Sequence, residues 1–138
     1  MTFRRFYRYL LVFFIVISFS FASREVVDSS YKLVLFEGSD WCVNCIRFDK
    51  TVLKNTYFIE FMESQNIAVE RVDFPQRKKL TPEIQAHNAS MAEKYDFQGI
   101  FPTILLVKPI GNEVISLEYH DQGALEFIKQ IKTNIAVE

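Results

Sequence analysis

The chain's two cysteines form a single Cys-X-X-Cys pair, Cys42 and Cys45, placed where one residue pattern gives way to another. Before them, Lys32-Leu33-Val34-Leu35-Phe36 is a continuous apolar run of the kind buried in the middle of a sheet. After them, Ile46, Phe48, Val52 and Leu53 recur at roughly helical spacing. A cysteine at such a strand-to-helix junction faces the unpaired backbone N–H groups and the positive end of the helix dipole, which favour the thiolate. Its partner lies one helical turn on. The pair therefore suits thiol–disulfide exchange: Cys42 attacks a disulfide and Cys45 resolves the mixed disulfide. The two sulfurs carry the electrons, so no cofactor is called for.

Two other uses of a cysteine pair fit poorly. A zinc knuckle needs further ligands, and the two histidines, His87 and His120, stand singly, 33 residues apart. A purely structural bridge enclosing Val43 and Asn44 would restrain little of the unfolded chain.

The N-terminal segment reads as a targeting sequence and not as part of the fold. Arg4, Arg5 and Arg8 precede a nearly unbroken apolar run from Leu10 to Phe19, and Ser20-Phe21-Ala22 offers small residues where a signal peptidase reads. A cleaved signal over residues 1–22 is expected; the apolar stretch is short of the ~20 residues a spanning helix needs. Its removal takes away three arginines and no acids and moves the formal charge from −1 to −4. No basic stripe suggests nucleic acid. An exported chain whose cysteines form a redox-spaced pair points to the bacterial periplasm.

Residues 23–30 read as a polar lead-in, and 31–138 as one folded domain. Thr56 is placed to cap a second helix reaching about Gln65, and Ala68 to Asp73 reads as a strand. Phe74 to Leu80, with Pro75, Arg77, Lys78 and Lys79, reads as a solvated loop. Thr81-Pro82-Glu83 opens a helix carrying Ile84, Met91 and Ala92 on to Tyr95. Thr103 to Val107 is a second continuous apolar strand, and Glu113 to Tyr119 returns beside it. Ala124 to Ile135 closes the chain as an amphipathic helix with Leu125, Ile128, Ile131 and Ile135 inward. The order is β-α-β-α-β-β-α, an α/β domain with helices on both faces of one sheet.

This order, with Trp41-Cys42 after the first strand and Pro102-Thr103 opening the third, resembles the thioredoxin superfamily. Asp40-Trp41-Cys42-Val43, Phe48 and Asp49 are similar to the C-terminal domain of the membrane reductant conductor DsbD. Gly38-Ser39-Asp40-Trp41-Cys42, Val72-Asp73-Phe74-Pro75 and the run from Lys94 to Thr103 resemble small exported DsbH-type proteins. The resemblance implies a mixed four-stranded central sheet, a redox-active Cys42–Cys45 disulfide, and a cis Phe101–Pro102 bond. Trp41, Ile100 and Phe101 would form an apolar rim that, with Pro102, meets the substrate.

Two departures from that family pattern stand out. The buried aspartate that thioredoxin carries six residues before the first cysteine is Phe36 here, and Asp49, one turn after Cys45, is the candidate replacement as proton acceptor. One extra residue lies between Gly99 and Pro102. The dipeptide Val43-Asn44 carries no charge, while Asp40, Asp49 and more distantly Glu37 should raise the thiol pKa. The expected protein is a monomeric reductase of oxidised substrate proteins, recharged by a membrane donor of the DsbD type. The alternatives are an oxidase or isomerase, or a non-catalytic binding or Cu(I)-handling module.

Overall fold

The apolar run after Lys32 becomes the centre of a sheet. In this computed structural model, which describes residues 31–135, strand β1 (Lys32–Glu37) is buried from Leu33 onward. The expected signal at 1–22 and lead-in at 23–30 lie outside the described residues, as do positions 136–138. Strand β2 (Ala68–Asp73) pairs parallel with β1, setting Glu37 opposite Asp73. On the other side β3 (Thr103–Val107) runs antiparallel with Phe36 opposite Thr103, and β4 (Val114–Leu117) pairs antiparallel with β3. The order β2-β1-β3-β4 makes the mixed four-stranded sheet that was expected. Strands covered on both faces need no polar alternation, which is why β1 and β3 read as unbroken apolar runs.

Alternation along β1 feeds two cores. Leu33 and Leu35 pack with Phe48, Val52, Phe58 and Phe127, and Val34 and Phe36 with Val72, Met91 and Val107. The first core is closed by α1 (Val43–Phe48), a π-helical turn (Asp49–Leu53), α2 (Thr56–Ser64) and α4 (Ala124–Ile135). The second is closed by α3 (Pro82–Lys94). Aromatic rings organise both. Phe127 meets Phe48 edge-on at 5.0 Å, and Phe36 stacks on Phe97 at 4.4 Å.

Local details differ from the sequence reading, each for a physical reason. Asn55, not Thr56, caps α2: its backbone is still extended, and its side-chain oxygen accepts the Tyr57 N–H at 3.0 Å. In α4 the inward face is Ala124, Phe127, Ile128 and Ile131, a spacing of three, four and seven residues that leaves Leu125 66% exposed. In α3 Ile84 is 46% exposed, and the residue turned to the sheet beside Met91 is Asn88, whose amide donates to the Asp73 carbonyl at 2.7 Å. That bond satisfies a polar group which burial would otherwise penalise.

The phase of α4 gives a direct test. Phe127→Ala should cost about 3–5 kcal/mol in urea unfolding, since a fully buried ring leaves a cavity. Leu125→Ala should stay within about 0.5 kcal/mol.

Candidate active site

The chain turns as soon as β1 ends. The N–H groups of Trp41 and Cys42 both donate to the Gly38 carbonyl, at 3.2 and 2.9 Å. Gly38 is required by close approach, because a Cβ there would sit inside van der Waals distance of the Trp41 indole. Cys42 is the N-cap of α1 with an extended backbone, and it is disulfide-bonded to Cys45. The Cys45 N–H donates to the Cys42 sulfur at 3.2 Å, so a helix-end amide is already aimed at the atom that would carry thiolate charge. Cys42 is 7% exposed and Cys45 1%, which makes Cys42 the outer member of the pair.

An apolar rim adjoins the cysteines. The Phe101–Pro102 peptide bond is cis, as the family resemblance implied. The Phe101 ring stands edge-on to Trp41 at 5.2 Å and to Phe97 at 5.1 Å, while the Trp41 indole N–H donates to the Phe74 carbonyl at 2.8 Å. Trp41, Phe101 and Pro102 are half-buried, and Ile100 is 68% exposed. The extra residue after Gly99 thus lets Phe101 turn inward while Ile100 faces out. The loop is closed by the Thr103 hydroxyl, which donates to the Ile100 carbonyl at 2.7 Å.

Beneath the helix that follows the cysteines lies an acid network. Asp49, expected to stand near Cys45 as a proton acceptor, is carried by the π-helical turn and held by Lys54 at 2.5 Å and Arg71 at 2.9 Å. Burial alone would raise its pKa, but the hydrogen bonds and charges of Lys54 and Arg71 outweigh that and hold the carboxyl below its usual value. Arg71 also makes a two-pronged pair with Glu37, through Nε at 2.5 Å and Nη2 at 2.9 Å. Glu37 is 1% exposed. Sequence reasoning counted it only as a distant acid, yet strand parity puts Glu37 on the face of β1 that carries Leu33 and Leu35, toward the cysteine-bearing helix. An acid at the end of an otherwise apolar strand was the available signal. Arg71 and Lys54 pair with Glu37 and Asp49, cations that the sequence reading did not set against these acids.

Asp40 is likewise engaged elsewhere. Its carboxylate accepts the N–H groups of Gln76 at 2.9 Å, Arg77 at 2.8 Å and Lys78 at 3.2 Å. Partial burial would raise its pKa; the three amides and the Arg77 charge prevail and lower it. Asp73 binds the Ser39 N–H at 2.8 Å and the Ser39 hydroxyl at 2.6 Å. The segment after β2 is therefore tied to the turn that presents Cys42. Among the described residues no group of three or more His, Cys, Asp or Glu side chains is placed to hold a metal ion.

The fold and the cysteine pair together define a thioredoxin-fold protein with a Cys42–Cys45 disulfide at the start of its first helix. No family model matches the chain. The chain is 27% identical over 100 residues to the disulfide bond reductase DsbH of Chlamydia pneumoniae, an overlap covering 72% of this chain and 59% of that protein's length. A solved DsbH oxidoreductase superposes with a TM-score of 0.72 at 23% identity, over 80% of this chain and 76% of the other. The oxidised C-terminal domain of DsbD from Neisseria meningitidis superposes with a TM-score of 0.52 at 20% identity, over 89% and 95%. The chain is thus similar in sequence to that DsbH protein, and shares its fold with DsbH and with the DsbD domain.

The Asp40 ties predict a pH signature. A carboxyl whose folded pKa is depressed contributes stability above its unfolded value, here 3.8, and loses it as pH falls through the lower folded value. Asp40→Asn should therefore be less stable than the parent chain at about pH 7, with the two converging near about pH 2. Urea unfolding at the two pH values measures this.

Proposed function

We propose that this protein is a periplasmic reductase of disulfides in substrate proteins, acting as a monomer and recharged by a membrane electron donor of the DsbD type. The observation that carries the direction is the setting of Cys42. Its sulfur receives one amide N–H, the dipeptide between the cysteines is uncharged, and Arg47, the nearest cation along the helix, is paired with Asp121 at 2.9 Å. A thiolate with so little stabilisation leaves the disulfide form relatively favoured, which is the poise of an electron donor. The relative from Chlamydia pneumoniae is named a disulfide bond reductase, which agrees with this reading. Export rests on the expected signal at 1–22; among the described residues no helix is long and apolar enough to cross a membrane.

In the reaction the Cys42 thiolate attacks one sulfur of a substrate disulfide, forming a mixed disulfide and releasing a substrate thiolate that takes up a proton. The Cys45 thiol then loses its proton and attacks the Cys42 sulfur. This forms the Cys42–Cys45 disulfide and frees the second substrate thiolate, which is protonated in turn. Two electrons have passed to the substrate, and a dithiol donor must return them. We assign the Cys45 proton to Asp49, the acid one turn after Cys45 in the sequence, which Lys54 and Arg71 hold in the π-helical turn after α1. Trp41, Phe101 and Pro102 form the surface on which the substrate chain lies.

The reduced protein should turn over a disulfide-bonded protein substrate, with Cys42→Ser at background. Cys45→Ser should accumulate a covalent mixed disulfide, seen as a mass gain that dithiothreitol removes. Turnover retained by Cys42→Ser would contradict the assignment.

A further inference from the structure

We propose that the groove lined by Phe74, Pro75, Lys78, Lys79, Leu80 and Gln85 is a docking surface for a partner chain that presents acidic side chains around an apolar residue beside its disulfide. The groove is open and holds about 390 Å³. The inference rests on the exchange chemistry proposed above and specifies the partner of that same site.

Position is the first argument. Phe74 belongs to the groove and to the cysteine rim at once: its carbonyl accepts the Trp41 indole N–H, and its ring meets Phe101 edge-on at 5.9 Å. A chain whose disulfide reaches Cys42 past Trp41 and Phe101 has this groove beside it.

Preorganisation is the second. The segment from Phe74 to Leu80 has no regular secondary structure, yet it is fastened at many points. The Phe74 N–H donates to the Glu37 carbonyl at 2.8 Å, three consecutive amides are held by Asp40, and the Gln85 side chain donates to the Leu80 carbonyl at 2.9 Å. A segment that served only as a solvated connection would need few of these ties. Held this way, it offers a fixed surface that loses little freedom when a partner binds.

Charge is the third. Several cations around the site are already paired, Arg71 and Lys54 with Asp49, and Arg47 with Asp121. Lys78 and Lys79 are exposed and form no salt bridge among the described residues, while Arg77 has its charge felt by Asp40. Half-buried Phe74, Pro75 and Leu80 supply an apolar floor between these ammonium groups. The complementary segment is an apolar side chain flanked by carboxylates. Opposed charges at an interface rim chiefly speed encounter and select partners.

The test compares reduced parent protein with Lys78→Glu/Lys79→Glu on three probes: a glutamate-flanked peptide disulfide, the same peptide flanked by lysines, and a small neutral disulfide. The parent should favour the glutamate-flanked peptide by about tenfold in kcat/KM at low salt, and the preference should shrink as salt rises. The charge reversal should abolish or invert it, with Lys78→Gln/Lys79→Gln between the two, while the neutral disulfide reports that each variant is folded and competent. Equal parent rates on the two peptides, with the neutral disulfide still reduced, would overturn the docking surface and leave the exchange reading standing. A preference that persists in the reversed variant would overturn the assignment to these lysines. No reduction of any probe by the parent protein would overturn both readings.

Discussion

A glutamate that is 1% exposed at the end of a central strand can persist only if its charge is met where it lies, and Arg71 meets it with two hydrogen bonds. This pair joins β1 to β2, and the same guanidinium reaches Asp49 in the widened turn after α1. One side chain thus ties the parallel strands β1 and β2 to the turn that follows the cysteine-bearing helix. The arrangement is asymmetric in energy. Complete, it costs little, but without Arg71 the Glu37 carboxylate would be buried and unpaired, a loss of about 3–5 kcal/mol. The position of α1 over the sheet depends on that interaction and on the Phe48 and Phe127 contact beside it.

A second set of ties works on the outer side of the site. Ser39 binds Asp73, Asp40 caps the three amides after β2, and Trp41 reaches the Phe74 carbonyl. Three consecutive residues ahead of Cys42 are therefore each fixed to the last residue of β2 or to the segment that follows it. The turn that delivers the nucleophile is held from both flanks, below through Glu37 and Arg71, and outside through the loop with its lysines. That rigidity keeps the Cys42 sulfur and the Cys45 amide in register, since the turn has no regular hydrogen-bond ladder of its own.

Much of this was legible in the sequence because the patterns were strong. Continuous apolar runs marked β1 and β3, and the cysteine pair between a strand and a helix marked the site. What escaped were features set by three-dimensional partners. The inward residue of α4 is Phe127 and not Leu125, because the helix phase is fixed by fit against Phe48 and Phe58. Asn55 caps α2 because its backbone, one residue before Thr56, is still extended. The buried pairing of Glu37 was missed because it depends on Arg71, 34 residues away and its neighbour only after β1 and β2 pair. The acids near the cysteines were read without their partners because a sequence does not show that Lys54 and Arg71 pair with them. The cis Phe101–Pro102 bond came from family resemblance alone, as no local signal distinguishes it from a trans bond.

The direction of electron flow depends on how well the Cys42 thiolate is stabilised, and one number reports it: the equilibrium redox potential of the Cys42–Cys45 couple, titrated against glutathione or dithiothreitol and read by thiol alkylation. A single amide donor and an uncharged intervening dipeptide predict a value near thioredoxin's, about −270 mV or slightly above. A value near about −120 mV would mean a strongly stabilised thiolate and an oxidant, and would contradict the reductase account.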